Sequence, residues 1–374
     1  MRKIYVCIIF MLIIGTRGLA ASDDGIRNWK YIHARVTSIL SDTVDEENYM
    51  RYQKVMVELT EPQMSGELEV ENTINIATIY KIIVKPGDDV IIVVNEVNNK
   101  LENGRIYSYG RDKYLLYLLL LFMGVLILIG GKNGFYSIIS LTISVCLILF
   151  VFFPLILKSI NPIVVVSIIS VVATLVTLTF IGGYNKKTLA AIIGTIGGVV
   201  TAGILTFWFG ALTHIQGIGD DNVELLSYFP KGCKLNFRDL LYAAIIIGAL
   251  GAIMDVSMSI ASSMDEIQRN YPRITKKQLL RSGMHIGKDI MGTMSNTLIL
   301  AYAGNSISMI LVFFLYDRSF VQFINSDHVA GEILRALCGS IGLVLSIPLT
   351  SIAFISLCKK ETNFNRRRMN GRLL

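Results

Sequence analysis

A chain of 374 residues with 53 % hydrophobic and 17 % charged residues, at a mean hydropathy of +0.56, is too apolar for a soluble domain of its length. Its 35 Lys and Arg against 28 Asp and Glu give a formal charge of +7, and the placement of those charges marks one side of a membrane rather than a nucleic-acid partner. The five cysteines (Cys7, Cys146, Cys233, Cys338 and Cys358) are scattered, and four of them lie in apolar stretches, so neither a disulfide framework nor a cysteine metal site is expected.

Arg2 and Lys3 open the chain, ahead of an apolar run over 4–14 and the small residues Gly18, Leu19, Ala20 and Ala21. Residues 1–21 fit a secretory signal cut after Ala20 or Ala21, and equally an uncleaved anchor helix. Either one puts residues 22–110 outside the cytoplasm. There, short β-branched and aromatic runs at 31–39, 52–59, 68–74, 80–84 and 90–94 predict five strands. Lys85, Pro86, Gly87, Asp88 and Asp89 predict a turn, because proline fixes φ, glycine accepts a positive φ and aspartate bonds back to the local backbone. Five strands in so short a segment predict a small β-barrel or sandwich of OB or SH3-like type. Its role is either to bind a cell-envelope partner or to cap the membrane part. Trp29, Tyr31 and His33 define no recognisable site.

Crossing roughly 30 Å of hydrocarbon takes about 20 apolar residues, and seven stretches meet or nearly meet that length within 111–358. They are 114–131, 134–157, 162–182, 188–212, 238–261, 291–316 and 333–357. With the first running inward, the inner connections hold Lys132, Lys186, Lys187, Arg269, Arg273, Lys276, Lys277, Arg281 and Lys288. The tail, 359–374, adds Lys359, Lys360, Arg366, Arg367, Arg368 and Arg372 on the same side. Lys158, Lys231, Lys234 and Arg318 fall on the outer side with six acids, Glu332 among them. The bias gives one orientation throughout, with 22–110 outside and the C-terminus in the cytoplasm. The expected fold class is an α-helical polytopic membrane protein with a small extracytoplasmic β domain, in the cell membrane.

Serines and threonines in spans satisfy themselves on their own helix. Asp255 does not: about six residues from the inner end of its span, or roughly 9 Å deep, an aspartate costs several kcal/mol unless it faces protein or water. Ser259 stands four residues on, along the same face. The next span enters from the inside at the same depth, with Asp289, Thr293, Asn296 and Thr297 on approximately one face. In the last span Pro348 frees the carbonyl of residue 344, and Thr350 joins the candidate cluster. A carboxylate facing an amide and hydroxyls is what a cation or proton site requires. The alternative for the neutral residues is interhelical hydrogen bonding, and for Asp289 a helix cap or first-turn charge. Small residues every four positions, Ala190, Gly194, Gly198 and Ala202 in one span and Ala244, Gly248 and Ala252 in another, predict close helix packing, with the two stripes as candidate partners for each other.

Two runs resemble the YibE/YibF-like multi-spanning membrane protein family. One is Ile246-Ile247-Gly248-Ala249-Leu250-Gly251-Ala252-Ile253-Met254-Asp255-Val256, continuing through Ser259 to Glu266. The other is Ser282-Gly283-Met284-His285-Ile286-Gly287-Lys288-Asp289-Ile290-Met291-Gly292-Thr293-Met294-Ser295-Asn296-Thr297. Gly339-Ser340-Ile341-Gly342-Leu343 and Ile347-Pro348-Leu349-Thr350 add a third match. The resemblance covers about 110–357 and implies the architecture without a particular activity; His285 and Ser295 depart from the family's commoner Asn and Thr.

No phosphate-binding glycine loop, metalloprotease His-Glu pair or serine elbow occurs, and the four histidines have no metal spacing, so neither an enzyme nor a cofactor is expected. The leading expectation is a cation- or proton-coupled permease acting through Asp255 and Asn296. Its alternatives are a non-catalytic scaffold whose 22–110 domain binds an envelope protein or a second copy, and an aspartyl hydrolase using Asp255 with Asp289. The lipid bilayer is the one partner every reading shares.

Overall fold

The computed structural model describes residues 29–60, 66–97, 100–218, 235–316 and 319–358, in two compact units divided between Ile129 and Gly130. The expected signal or anchor segment, the charges at 219–234 and the basic tail lie outside the described residues.

The first unit is built on strands β1 (Trp29–Asp45), β2 (Met50–Leu59), β3 (Glu67–Asn75), β4 (Asp89–Val97) and β5 (Lys100–Tyr109). They close in the order β1-β2-β3-β5-β4, with β4 returning to β1 and one parallel pairing, Glu71 with Arg105 on β5. This is a five-stranded Greek-key barrel, the OB-like of the two types expected. Alternation produces it: Ile32, Ala34 and Val36 of β1, Val55 and Val57 of β2, and Val90, Ile92 and Val94 of β4 all point inward and are fully buried. The long first strand reaches both neighbours by bending at register shifts between Val36 and Ser38 and between Ile39 and Ser41.

One expected strand, 80–84, is not a strand. Its backbone groups are taken by side chains instead: Asn72 Nδ2 donates to Ile82 O (2.7 Å), Tyr109 Oη to Ile83 O (2.7 Å), and Val84 N donates to Gln53 Oε1 (3.2 Å). The segment is thus a strap over the barrel, with Val84 plugged into the core. The fifth strand lies instead at Lys100–Tyr109. The predicted turn is present, with Gly87 at φ 95° and Asp88 Oδ2 accepting from Lys85 N at 2.8 Å.

Asp89 ties the barrel to the helix that follows. Its carboxylate accepts from Arg35 (3.1 Å) and from Lys113 (3.3 Å), and its carbonyl from Gly110 N (2.7 Å). Burial raises its pKa, but the two cations outweigh that and hold it below the ordinary aspartate value.

The helical part comprises α1 (Asp112–Leu147), running through a π-helical turn at Ile148–Phe152 into α2 (Phe153–Leu157), then α3 (Pro162–Gly182), α4 (Lys186–Leu212), α5 (Phe237–Asn270), α6 (Lys276–Asn305), α7 (Ile307–Leu315), α8 (Phe320–Ile324) and α9 (Asp327–Leu357). All seven apolar stretches are helical. Among the described residues five helices are long and apolar enough to cross a membrane, or six with α6 and α7 taken as one bent span. Two features modify the expected spans. The first two are joined in one 46-residue run whose helical backbone is broken at Gly131 (φ 53°, ψ −127°), a conformation open to glycine and strained for other residues. The 291–316 span is bent by 58° at Ser306, after Gly304 and Asn305, residues that end helices.

From Gly130 onward α4, α5 and α9 form the central trio, flanked by α3 and α6. Ile253, Ile260, Leu343, Ile347 and Phe354 fill the space between them. The two small-residue stripes do not face each other. The α4 stripe receives α9: a Cβ on Gly194 would land on Thr350, and one on Gly198 would lie 2.8 Å from Gly342 O. The α5 stripe faces α6, since a Cβ on Gly248 would lie 2.9 Å from the Tyr302 hydroxyl.

Candidate functional site

Asp255 sits in the middle of the apolar run 242–261 of α5, on an exposed face, with neither a hydrogen bond nor an ion pair to any of the described residues. Helical geometry puts it in line with Gly248 and Ala252 above and Ser259 below, at spacings of four, three and four. Ser259 is also exposed. Gly251, one turn from Asp255, has open space where a Cβ would be. Around Asp255 the face of α5 is thus open, while Tyr302 covers it at Gly248.

Helix α6 runs antiparallel beside it. The approach of Gly248 to Tyr302 and of Met264 to Gly283 sets a register that brings Asp255 level with about Gly292–Ser295. The expected match in depth between Asp255 and the polar stretch of α6 therefore holds in the geometry. What the structure does not do is bond these groups together. Thr293 Oγ1 donates to Ile290 O (2.9 Å) and Thr297 Oγ1 to Thr293 O (2.9 Å), both within their own helix. Asn296 is exposed and makes no hydrogen bond to Asp255.

Asp289 is neither a cap nor a first-turn charge. Helix α6 starts at Lys276, where Thr275 and Gln278 form a capping box, which leaves Asp289 in the helix interior, 3.9 Å from His285 one turn back. It lies three to six residues along the axis from the level of Asp255, so the two carboxyls do not form a dyad.

Thr350 belongs elsewhere. It is fully buried between α9 and α4, against Gly194, with its hydroxyl unpartnered among the described residues. Spacing along the chain reported its depth and not the direction in which it points.

Of the charged side chains inside the helices that sequence reasoning did not single out as site candidates, three make side-chain contacts within the bundle. Asp239, in the first turn of α5, is explained by Asn161 Nδ2, which donates to it at 3.0 Å and locks α3 to α5. The other two are Glu332 and Arg335 of α9. Arg335 Nη1 donates to Glu332 Oε1, and the guanidinium stands 5.9 Å from the Tyr302 ring centroid. The remaining Glu332 Oε2 and Arg335 Nε are buried without partners among the described residues. Glu332 had the appearance of a loop charge, and the signal that would have found the pair is its i,i+3 spacing inside what is one continuous helix.

Apolar helices of this length, packed around a core that carries an unpaired acid on an open face, define a membrane-embedded helical protein, here preceded by a small closed barrel. Residues 118–360 match the family model described as YibE/F-like protein, and the chain belongs to that family. Neither a curated protein nor a solved structure matches it.

Proposed function

We propose that the chain is an integral-membrane permease of the cell membrane, coupled to a cation or proton through Asp255. The observation that carries this reading is the unpaired carboxyl on an exposed face of α5, within the apolar run 242–261. Facing hydrocarbon, such an acid costs about 2.5–3.5 kcal/mol on insertion scales, so the face that holds it is better explained as wet. The small neighbour Gly251 leaves room for a solvated ion beside it. Ser259, Asn296 and Thr293 line the same depth with oxygen atoms, the ligands that hard cations take.

Seven crossings put residues 22–110 outside and the C-terminus in the cytoplasm, with Gly131 as the boundary between the first two crossings and the bend at Ser306 inside the sixth. This orientation is supported by the excess of Lys and Arg on the connections it makes cytoplasmic. The test is flux in proteoliposomes under an imposed proton or cation gradient. Wild type carries flux, and Asp255→Asn inserts normally and loses it.

A second reading, a membrane scaffold, is favoured by the barrel surface, where Tyr31 and Tyr107 stack edge to face at 5.1 Å while both stay 59 % exposed. Under that reading the barrel binds an envelope protein, and Asp255→Asn leaves every function of the cell envelope unchanged.

A further inference from the structure

Buried polar atoms without partners among the described residues occur on several helices of the bundle, and one group of them lies along a single helix–helix seam. The approaches of Gly283 to Ser351, Gly287 to Ile347, and Tyr302 to Arg335 show that α6 and α9 run antiparallel in one register along most of their length. That register puts Ser295 of α6 opposite Ser340 of α9, and both hydroxyls are buried with no hydrogen bond to the described residues. Towards one end of the same seam come Arg335 Nε, Glu332 Oε2 and the Ser306 hydroxyl, all buried and unpartnered, whereas towards the other Gly283 and Gly287 of α6 pack directly against Ser351 and Ile347 of α9. Ser306 and Ser340 are themselves 8 % exposed, and Ser295 is partly buried with its hydroxyl fully covered.

A lone serine can turn back onto its own helix, as Ser346 does onto Leu343 O at 2.7 Å. A half-paired ion pair has no such escape, and leaving a charged donor and a charged acceptor dry costs more than the pair returns. A row of small polar residues that continues from such a pair, with donors and acceptors facing a common seam, is the chemistry that holds a file of water.

We infer that the outer half of the α6–α9 seam, from Ser295 and Ser340 to the ion pair, is hydrated, closed at its outer end by Glu332, Arg335 and Tyr302 and at its inner end by the packing of Gly287 on Ile347. The Tyr302 ring covers the guanidinium, while its hydroxyl lies beside Gly248, whose face of α5 leads on to Asp255. The closure therefore joins the seam to the acid. Breaking the ion pair frees Arg335 from the ring and opens the seam to the outside. This inference draws on the permease reading only for which end is outside. Hydration of the seam is measured without any transport assay, so its failure and the failure of that reading are separate results.

The test is thiol accessibility in the full chain with its five native cysteines replaced. Ser→Cys is nearly isosteric, so S295C and S340C report the seam. S257C reports a serine of α5 that is fully buried and unpartnered among the described residues and lies away from the seam, facing the central core. The probe is a trimethylammonium methanethiosulfonate applied from outside. The thiolate attacks its sulfenyl sulfur, a mixed disulfide forms and methanesulfinate leaves, and the reaction needs water to ionise the thiol. S295C and S340C should react at least about tenfold faster than S257C, and E332Q or R335Q should raise the S340C rate about tenfold more. Equal rates at S257C, S295C and S340C would overturn the hydrated seam. A fast S340C whose rate ignores both E332Q and R335Q would overturn the closure. Each rate is read only on protein that elutes as a single species, and a variant that does not is replaced by Ser306→Cys at the outer end of the same row.

Discussion

Gly194→Ala probes the tightest approach in the bundle, and its cost follows from the geometry. The added methyl would land on the Thr350 hydroxyl, 2.8 Å from Thr350 Cβ and 2.9 Å from its Cα. The hydroxyl alone could rotate away, but the backbone cannot, so α4 and α9 must separate. Overpacking of this kind costs about 1–3 kcal/mol, and backbone involvement puts this site at the upper end. Replacing glycine by alanine in a helix returns about 1 kcal/mol, which leaves a net loss of about 2 kcal/mol. Gly251→Ala is the matched control, because nothing lies within 4 Å of its added methyl. The same propensity gain there stands alone, giving a change between zero and about 1 kcal/mol in the stabilising direction. Thermal or denaturant unfolding in detergent should therefore move in opposite directions for the two variants. Adding Thr350→Gly to Gly194→Ala removes the hydroxyl and Cβ clashes and leaves only the close approach to the backbone of residue 350, so part of the loss returns. If Gly194→Ala is as harmless as Gly251→Ala, α4 and α9 do not approach as closely as drawn.

Gln53→Leu leaves the buried Val84 N–H without its acceptor and removes one of the two acceptors of the Asn72 amide, which keeps Ile82 O, at about 1–3 kcal/mol; faster hydrogen exchange over 80–88 would report it, and unchanged exchange would mean that the strap is held by other interactions. The Asp89 carboxyl titrates below its unfolded value of about 3.9, so its contribution to barrel stability is full above that pH and fades as the pH falls through the lower folded value. Asp89→Asn should lower stability at neutral pH and flatten the acid limb of an unfolding profile, whereas an unchanged limb would show that Asp89 is not among the groups that set it. Gly131→Ala forces a side chain into φ 53°, ψ −127°, at about 1–3 kcal/mol, and the readout is a lower unfolding midpoint than that of a neighbouring Gly130→Ala variant.

The helices were legible because an apolar run long enough to cross a membrane has few other uses, and every such run here is helical. The breaks within them were less visible. At Ser306 apolar residues continue on both sides of the bend, so hydropathy carries no mark of it, although Gly304 and Asn305 do. In the barrel, 80–84 has the alternation of a strand, but side chains of Gln53, Asn72 and Tyr109, distant in sequence, claim its backbone. The true fifth strand hid behind Lys100, Glu102, Asn103 and Arg105, with Gly104 packed close to Val70 where a side chain would clash. At the site, spacing recovered depth: Asp255 and the polar stretch of α6 are level. It could not recover direction around the helix axis, which is why Thr350 turned out to face α4 and why Glu332 and Arg335 escaped notice.

The central claim is that Asp255 is a working ion-coupling group, and flux through purified protein in proteoliposomes tests it most directly. The account predicts proton or cation flux under an imposed gradient that Asp255→Asn abolishes and Asp255→Glu retains in part, with all three proteins inserting equally. Equal flux from wild type and Asp255→Asn would contradict it, and so would the absence of flux from well-folded wild type for protons and the common cations.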